Sequence, residues 1–153
     1  MGVDEMKRGL QLAQRAEYAD FGPAASPKLI SEAEEYLAVK FPPSYREFLS
    51  AAGCGSFAGR EIFGIVPDGV AATAIPSVTF ATNDQRRHGL PRQFIVVEDP
   101  GTEEEYVLDT GDLGPDGEAP VKVWTPGSDP SDLEVLAHDF GTYLLAAAEK
   151  ASS

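Results

Sequence analysis

One cysteine, two histidines and no long apolar run remove several classes of chemistry from this 153-residue chain at the outset. Cys54 has no second cysteine for an internal disulfide. It sits between Gly53 and Gly55 with no histidine nearby in sequence, so a disulfide-stapled secreted fold and a Cys–His nucleophile both lack their parts. His88 stands beside Arg86-Arg87 and His138 beside Asp139, and adjacent residues on a helix do not face each other, so no metal-binding or catalytic His pair is formed. There is no nucleophile elbow and no phosphate loop. The longest apolar run, residues 144–148, is far below the roughly 20 residues that span a bilayer. Residues 1–7 have no signal-peptide core, and Gly2 lacks the Ser or Thr at position 6 that myristoylation uses. These absences lead to the expectation of a cytoplasmic protein in a reducing compartment, with no membrane partner.

Positive charge is also scarce: 12 Lys and Arg stand against 25 Asp and Glu, for a formal net charge of -13. The imbalance is local, because residues 1–97 carry 11 acids and 10 bases while residues 98–153 carry 14 acids and 2 bases. With 42% apolar residues the chain is ordinary for a globular protein, so disorder does not explain the charge. Arg86, Arg87 and Arg92 form the only basic cluster, without interleaved aromatics, and nucleic-acid binding is not expected.

Between residues 98 and 118 lie Glu98, Asp99, Glu103, Glu104, Glu105, Asp109, Asp112, Asp116 and Glu118, with no Lys or Arg among them. Held on strands and turns, these nine carboxylates would attract a cationic partner and speed its approach. The plainer alternative is a solvated face that maintains solubility. A calcium site would need oxygen ligands at alternate positions closed by a glutamate, and Asp109-Thr-Gly-Asp112 with Pro115-Asp-Gly-Glu118 misses that spacing. A carboxylate hydrolase would need two acids at a defined separation in a pocket, which sequence does not display. The expectation is therefore no catalytic residue, no cofactor, no metal, and the nine acids as the candidate partner-binding set.

The length suits one domain. Residues 4–17 predict a first helix with a weak stripe (Leu10, Leu12, Ala13, Ala16), read as a loosely docked arm. After the break at Gly22-Pro23, Ser26 caps and Pro27 opens a second helix facing inward with Ile30, Ala33 and Leu37. Pro42 and Pro43 start a third, with Ser44 and Glu47 offering a capping box, Tyr45, Phe48, Leu49 and Ala52 on one face, and Gly53 and Gly55 to close it. Glu61-Ile-Phe-Gly-Ile65 predicts a buried strand. Residues 69–92 stay open between helix, from Ser77 to Arg86, and strand. Strands follow at 94–98, 104–109 and 121–124 as an antiparallel meander, with Trp124 as a core residue. Leu133, Leu136, Ala137, Phe140, Leu144 and Ala147 then keep the period of a closing helix. The fold class is α+β: a mainly antiparallel sheet packed with N-terminal helices and a C-terminal helix.

The stretch Lys40-Phe-Pro-Pro-Ser-Tyr-Arg-Glu-Phe-Leu49, Ala52-Gly-Cys-Gly-Ser-Phe57 and Glu61-Ile-Phe-Gly-Ile65 resembles the SUKH superfamily, which includes bacterial immunity proteins and the Smi-Knr fungal cell-wall regulators. Glu34-Glu-Tyr-Leu37 upstream is similar, as are Leu90-Pro91, Tyr106-Val-Leu-Asp109, Pro120-Val-Lys-Val-Trp124 and the final helix downstream. The resemblance covers residues 20–148. One departure is the helix-ending turn, an Asn-Gly-Gly type in the family and Gly53-Cys54-Gly55 here. With the first helix read as an N-terminal helical arm (1–22), the resemblance implies a SUKH-like domain over 23–150, and the expectation is a monomer or weak dimer that is not an enzyme. The implied role is immunity: binding and neutralising a cognate toxin domain of a polymorphic toxin system, basic and nuclease-like, through the acidic surface. The alternative it implies is a non-catalytic regulator or scaffold of the Smi-Knr type.

Overall fold

A computed structural model describes residues 2–152, and its first element already departs from expectation. Helix α1 (Gly2–Gln14) buries Met6, Gly9, Leu10 and Ala13. At Gly9 it crosses the last helix so closely that a Cβ would stand 2.8 Å from the Leu145 backbone. The first helix is therefore not loosely docked but part of the core. Met6 and Gly9 complete a stripe that looks weak when only Leu and Ala are counted.

After the two-residue strand β1 (Asp20–Phe21), α2 (Pro27–Leu37) starts as its chemistry predicts. Ser26 Oγ accepts a hydrogen bond from the Leu29 N–H at 3.2 Å, and Ile30, Ala33 and Leu37 are buried. Helix α3 (Pro43–Ala52) ends on Gly53 at φ 71°. Its start is different: Pro42 is the N-cap and makes no side-chain cap, so the Ser44–Glu47 box does not form. Glu118 supplies the missing acceptor from far along the chain, as described below.

Strands β2 (Gly55–Phe57) and β3 (Arg60–Ile62) form a hairpin over Ala58 and Gly59, at φ 50° and 81°, the left-handed pair that a two-residue hairpin turn favours. With β1 they make a three-stranded antiparallel sheet in the order β1-β2-β3. The strand predicted over 61–65 thus stops at Ile62. Beyond it the Phe63 N–H donates to the Val97 carbonyl at 2.8 Å and the Ile65 N–H to the Gly53 carbonyl at 3.0 Å. The two backbones run so close that a Cβ on Gly64 would lie 1.8 Å from the Gly53 oxygen.

A 3₁₀ turn at Gly69–Ala71 precedes α4 (Val78–Arg86), so the undecided region resolves as helix. Ser77 Oγ caps it, accepting from the Phe80 N–H at 3.2 Å. Its β-branched side chains are used inside, since buried Thr82 accepts from the Val96 N–H through Oγ1 at 3.0 Å. Arg86 spends its Nη2 on the carbonyls of Leu37 and Arg92, both at 2.8 Å.

The meander appears as β4 (Phe94–Glu98), β5 (Glu105–Asp109) and β6 (Val121–Trp124), and a fourth strand, β7 (Val135–Ala137), extends it in the order β4-β5-β6-β7. Residues 135–137 are therefore strand, not the start of the closing helix. They pair with β6, while Asp139 Oδ1 accepts from the Thr142 N–H at 2.6 Å and caps α5 (Phe140–Ser152). His138 and Asp139 consequently precede that helix. Five α-helices and two antiparallel sheets among the described residues make an α+β domain. Trp124 is buried in its core beside Phe94, Phe140 and Leu144 in one cluster.

Candidate partner-binding surface

Strand order decides where the acidic residues go. The β4–β5 and β6–β7 connections lie at one end of the larger sheet and the β5–β6 connection at the other, about 17 Å away for a five-residue strand. Asp99, Glu103 and Glu104 therefore share an end with Asp129, Asp132 and Glu134 of the neighbouring loop, and Asp112 and Asp116 lie at the far end. An acidic stretch continuous in sequence is divided in space.

Four of the nine candidates are buried: Glu98, Glu105, Asp109 and Glu118. Arg60 donates to Glu98 through Nε at 3.0 Å and Nη2 at 2.9 Å, and through Nη2 to the Tyr143 hydroxyl at 3.0 Å; that hydroxyl donates in turn to Glu98. The guanidinium also stands 5.7 Å from the Tyr143 ring centroid. Burial, reinforced by the Glu98 charge, pushes the Tyr143 phenol far above its ordinary range.

Lys122 Nζ bridges Asp109 at 2.8 Å and Asp112 at 3.1 Å. Burial alone would lower its ammonium pKa, but the two carboxylates outweigh it and the net shift is upward. Glu118 accepts from the Ser44 N–H at 3.0 Å and from Ser44 Oγ at 2.9 Å, and that Oγ accepts from the Gly141 N–H at 3.0 Å. One carboxylate thus satisfies an orphan donor at the positive end of α3. Burial raises the Glu118 pKa, with the Ser44 hydrogen bonds opposing. Glu105 is the exception: burial first, then Asp99 and Asp84, push its carboxyl up to about 7.

A cleft of about 580 Å³ opens at the end that carries the two acidic loops, walled by Arg60, Glu61, Glu98, Asp99, Tyr106 and Lys150 among others. Tyr106 packs edge-on against Tyr143, with centroids 6.2 Å apart and planes at 82°. Burial raises its phenol pKa and Glu104, Glu98 and Glu134 add to that rise, against Arg60. Carboxylates from both loops thus act on one ring.

Sequence reasoning missed Arg60, Tyr106, Tyr143 and the acids of the second loop. Their grouping depends on β4 and β6 running the same way with β5 between them, which no local pattern displays. Among the described residues no group of three or more His, Cys, Asp and Glu could hold a metal ion, and no helix is long and apolar enough to cross a membrane.

This architecture is that of a single α+β domain in which two antiparallel sheets are joined through a buried ion pair. A crystal structure of a protein from Pseudomonas syringae pv. tomato shares the fold, with a TM-score of 0.66 over 90% of this chain and 92% of that one, at 16% sequence identity. The family model SUKH_5, of the SMI1-KNR4 cell-wall proteins, matches residues 5–148, and the chain belongs to that family. No curated protein matches the sequence.

Proposed function

We propose that the chain is a non-catalytic, cytoplasmic immunity protein that binds a cognate toxin domain of a polymorphic toxin system and covers its active surface. The observation that carries this reading is that loops 99–104 and 125–134, neither of which contains Lys or Arg, lie at one end of the larger sheet, with the first of them lining the Tyr106 cleft. A nuclease-like toxin holds phosphates with Lys and Arg. Carboxylates on two neighbouring loops can occupy the same groove, and their field speeds encounter. Tyr106 offers an aromatic face on which an arginine can stack, worth about 1 kcal/mol.

The nine acids then divide their work. Asp99, Glu103 and Glu104, joined by Asp129, Asp132 and Glu134, make the contact. Glu98, Glu105, Asp109 and Glu118 belong to the scaffold, and Asp112 and Asp116 face away from the partner. A Smi-Knr-type regulatory role is the second reading, favoured by the family's cell-wall description, and it would use the same surface on a different protein.

The test is co-expression with the carboxy-terminal domain of the reading frame that neighbours this one, scored by growth and co-purification, for the native protein and for Asp99→Lys/Glu104→Lys/Glu134→Lys. Immunity through this surface requires rescue by the native chain, loss of rescue on charge reversal, and a complex that weakens from low to high salt. Rescue that survives both charge reversal and salt sinks the acidic-surface mechanism. Toxicity without rescue or binding moves the weight to the regulatory reading.

A further inference from the structure

Strand β7 is the last in the order β4-β5-β6-β7, whereas the opposite edge is tied to Phe63 through the Val97 carbonyl. Val135 and Leu136 are 46% and 38% exposed. Neighbours on a strand point to opposite faces, so β7 exposes a side chain on each face at Val135 and Leu136, as well as its outer edge, while Ala137 packs against the core. Leu113, 54% exposed, comes from the β5–β6 connection and joins Val135 in a groove of about 470 Å³ whose walls include Asp112, Asp116 and Asp139. A register shift against β6 irregularises the inner side of the strand. Its sequence, Val-Leu-Ala, carries none of the lysines or prolines that discourage a bare edge from pairing.

We propose that β7 takes up an extended cationic segment of a protein partner as a fifth strand. Main-chain hydrogen bonds supply the pairing, and alternate side chains of the guest supply the selectivity. Its apolar residues lie on Val135 and Leu113, and its Lys or Arg residues reach the groove carboxylates.

Charge selects this occupant over a second copy of the chain, because antiparallel pairing of β7 with itself would set Asp139 of one copy near Asp132 and Glu134 of the other, on two molecules of net charge -13. The nearest lysine does not cancel that preference. Lys122 is engaged by Asp109 and Asp112, and Asp116 and Asp139, each accepting a main-chain hydrogen bond through Oδ1, meet the guest through Oδ2. Strand β7 begins beside Glu134, but its groove carboxylates Asp112, Asp116 and Asp139 lie at the opposite end of the sheet from loops 99–104 and 125–134, so the inference does not depend on the immunity reading.

The probe is a short synthetic peptide of alternating lysine and valine, added to the full chain and followed by amide-detected NMR and hydrogen exchange. Two control peptides accompany it, one with glutamate for lysine and one N-methylated at alternate backbone amides, which keeps the charge but cannot pair. The lysine peptide should shift and protect the amides of residues 135–137, bind roughly tenfold tighter than its N-methylated form, and lose roughly tenfold with Val135→Lys. The glutamate peptide should not bind. Leu136→Pro should abolish protection, and if that variant misfolds, Val135→Lys with the N-methylated control still decides the matter. Equal binding of both lysine peptides overturns the proposal, as do shifts confined to loops 99–104 and 125–134. Self-association through residues 135–137 in sedimentation, without peptide, overturns it in favour of a second copy.

Discussion

The guanidinium of Arg60 on β3 grips the carboxylate of Glu98 on β4 through two hydrogen bonds, at 3.0 and 2.9 Å, so an ion pair ties the small sheet to the large one. The Glu98 side chain is 4% exposed and that of Arg60 28%. Removing the cation leaves a buried charge without a counter-ion, which costs far more than the pair itself contributes. Arg60→Ala should therefore lose about 2–4 kcal/mol in urea unfolding. Arg60→Lys should recover only part, since an ammonium cannot make the fork. Arg60→Ala combined with Glu98→Gln should lose less than the two single losses added. A loss under about 0.5 kcal/mol for Arg60→Ala would mean that water already reaches Glu98.

Glu105 gives the stability a pH dependence of definite sign. Its folded-state pKa, about 7, lies above the ordinary carboxylate value, so the folded chain binds more protons than the unfolded one between those two points. The contribution is fully present at lower pH and is lost as pH rises through about 7. Glu105→Gln should raise the melting temperature at pH 8, by a change worth about 2 kcal/mol, and leave it nearly unchanged at about pH 4. Equal effects at the two pH values would rule out a raised pKa.

Gly9 tests whether α1 belongs to the core. A methyl group there meets the Leu145 Cα and N at 2.8 Å, and the backbone of α5 cannot rotate away as a side chain would. Gly9→Ala gains about 1 kcal/mol of helix propensity, yet separating two packed helices costs about 1–3 kcal/mol. Thermal melts should show net destabilisation, greater for Gly9→Val, while Gln11→Ala on the exposed face stays within about 0.5 kcal/mol of the native protein. A stabilising Gly9→Ala would mean that the first helix is free to move off.

Ser44 relays between Glu118 and the Gly141 N–H. Ser44→Ala removes one donor from a buried carboxylate and orphans a buried N–H, for a cost of about 2–3 kcal/mol. It should also push the Glu118 pKa further upward, measurable by carboxyl NMR titration. An unchanged titration would show that the main-chain N–H alone sets it.

Local chemistry made much of the fold readable. Ser26-Pro27 and Pro42-Pro43 start helices wherever they occur in such a context, and residues 94–98 and 121–124 are extended as their composition demands. The failures share a cause, namely partners distant in sequence. Ser44 and Glu47 satisfy a capping-box pattern, but Glu118 reaches the same donor first. Leu133, Leu136 and Ala137 fit a helical period, but pairing with β6 and the Asp139 cap hold residues 135–137 extended. At the site, Glu104 and Glu105 are neighbours of the same chemistry, yet one is partly buried near Tyr106 and the other is buried, where Asp99 and Asp84 act on it. Composition could announce an acidic protein. Only the alternation along β5 and the order of the strands separate the acids that hold the structure from those that face outward.

Loops 99–104 and 125–134 have a further consequence. Asp99 and Asp129 brace their own turns, accepting from the Gly101 and Ser131 N–H groups at 2.8 and 3.0 Å, and the other carboxylates of these loops serve no ladder. Under the proposed function, the carboxylates that hold the fold and those offered to the partner are therefore largely different residues. On that reading a lineage can rewrite the second set one letter at a time while Arg60, Glu98, Ser44 and Glu118 keep the first legible, so a new specificity would not require a new protein.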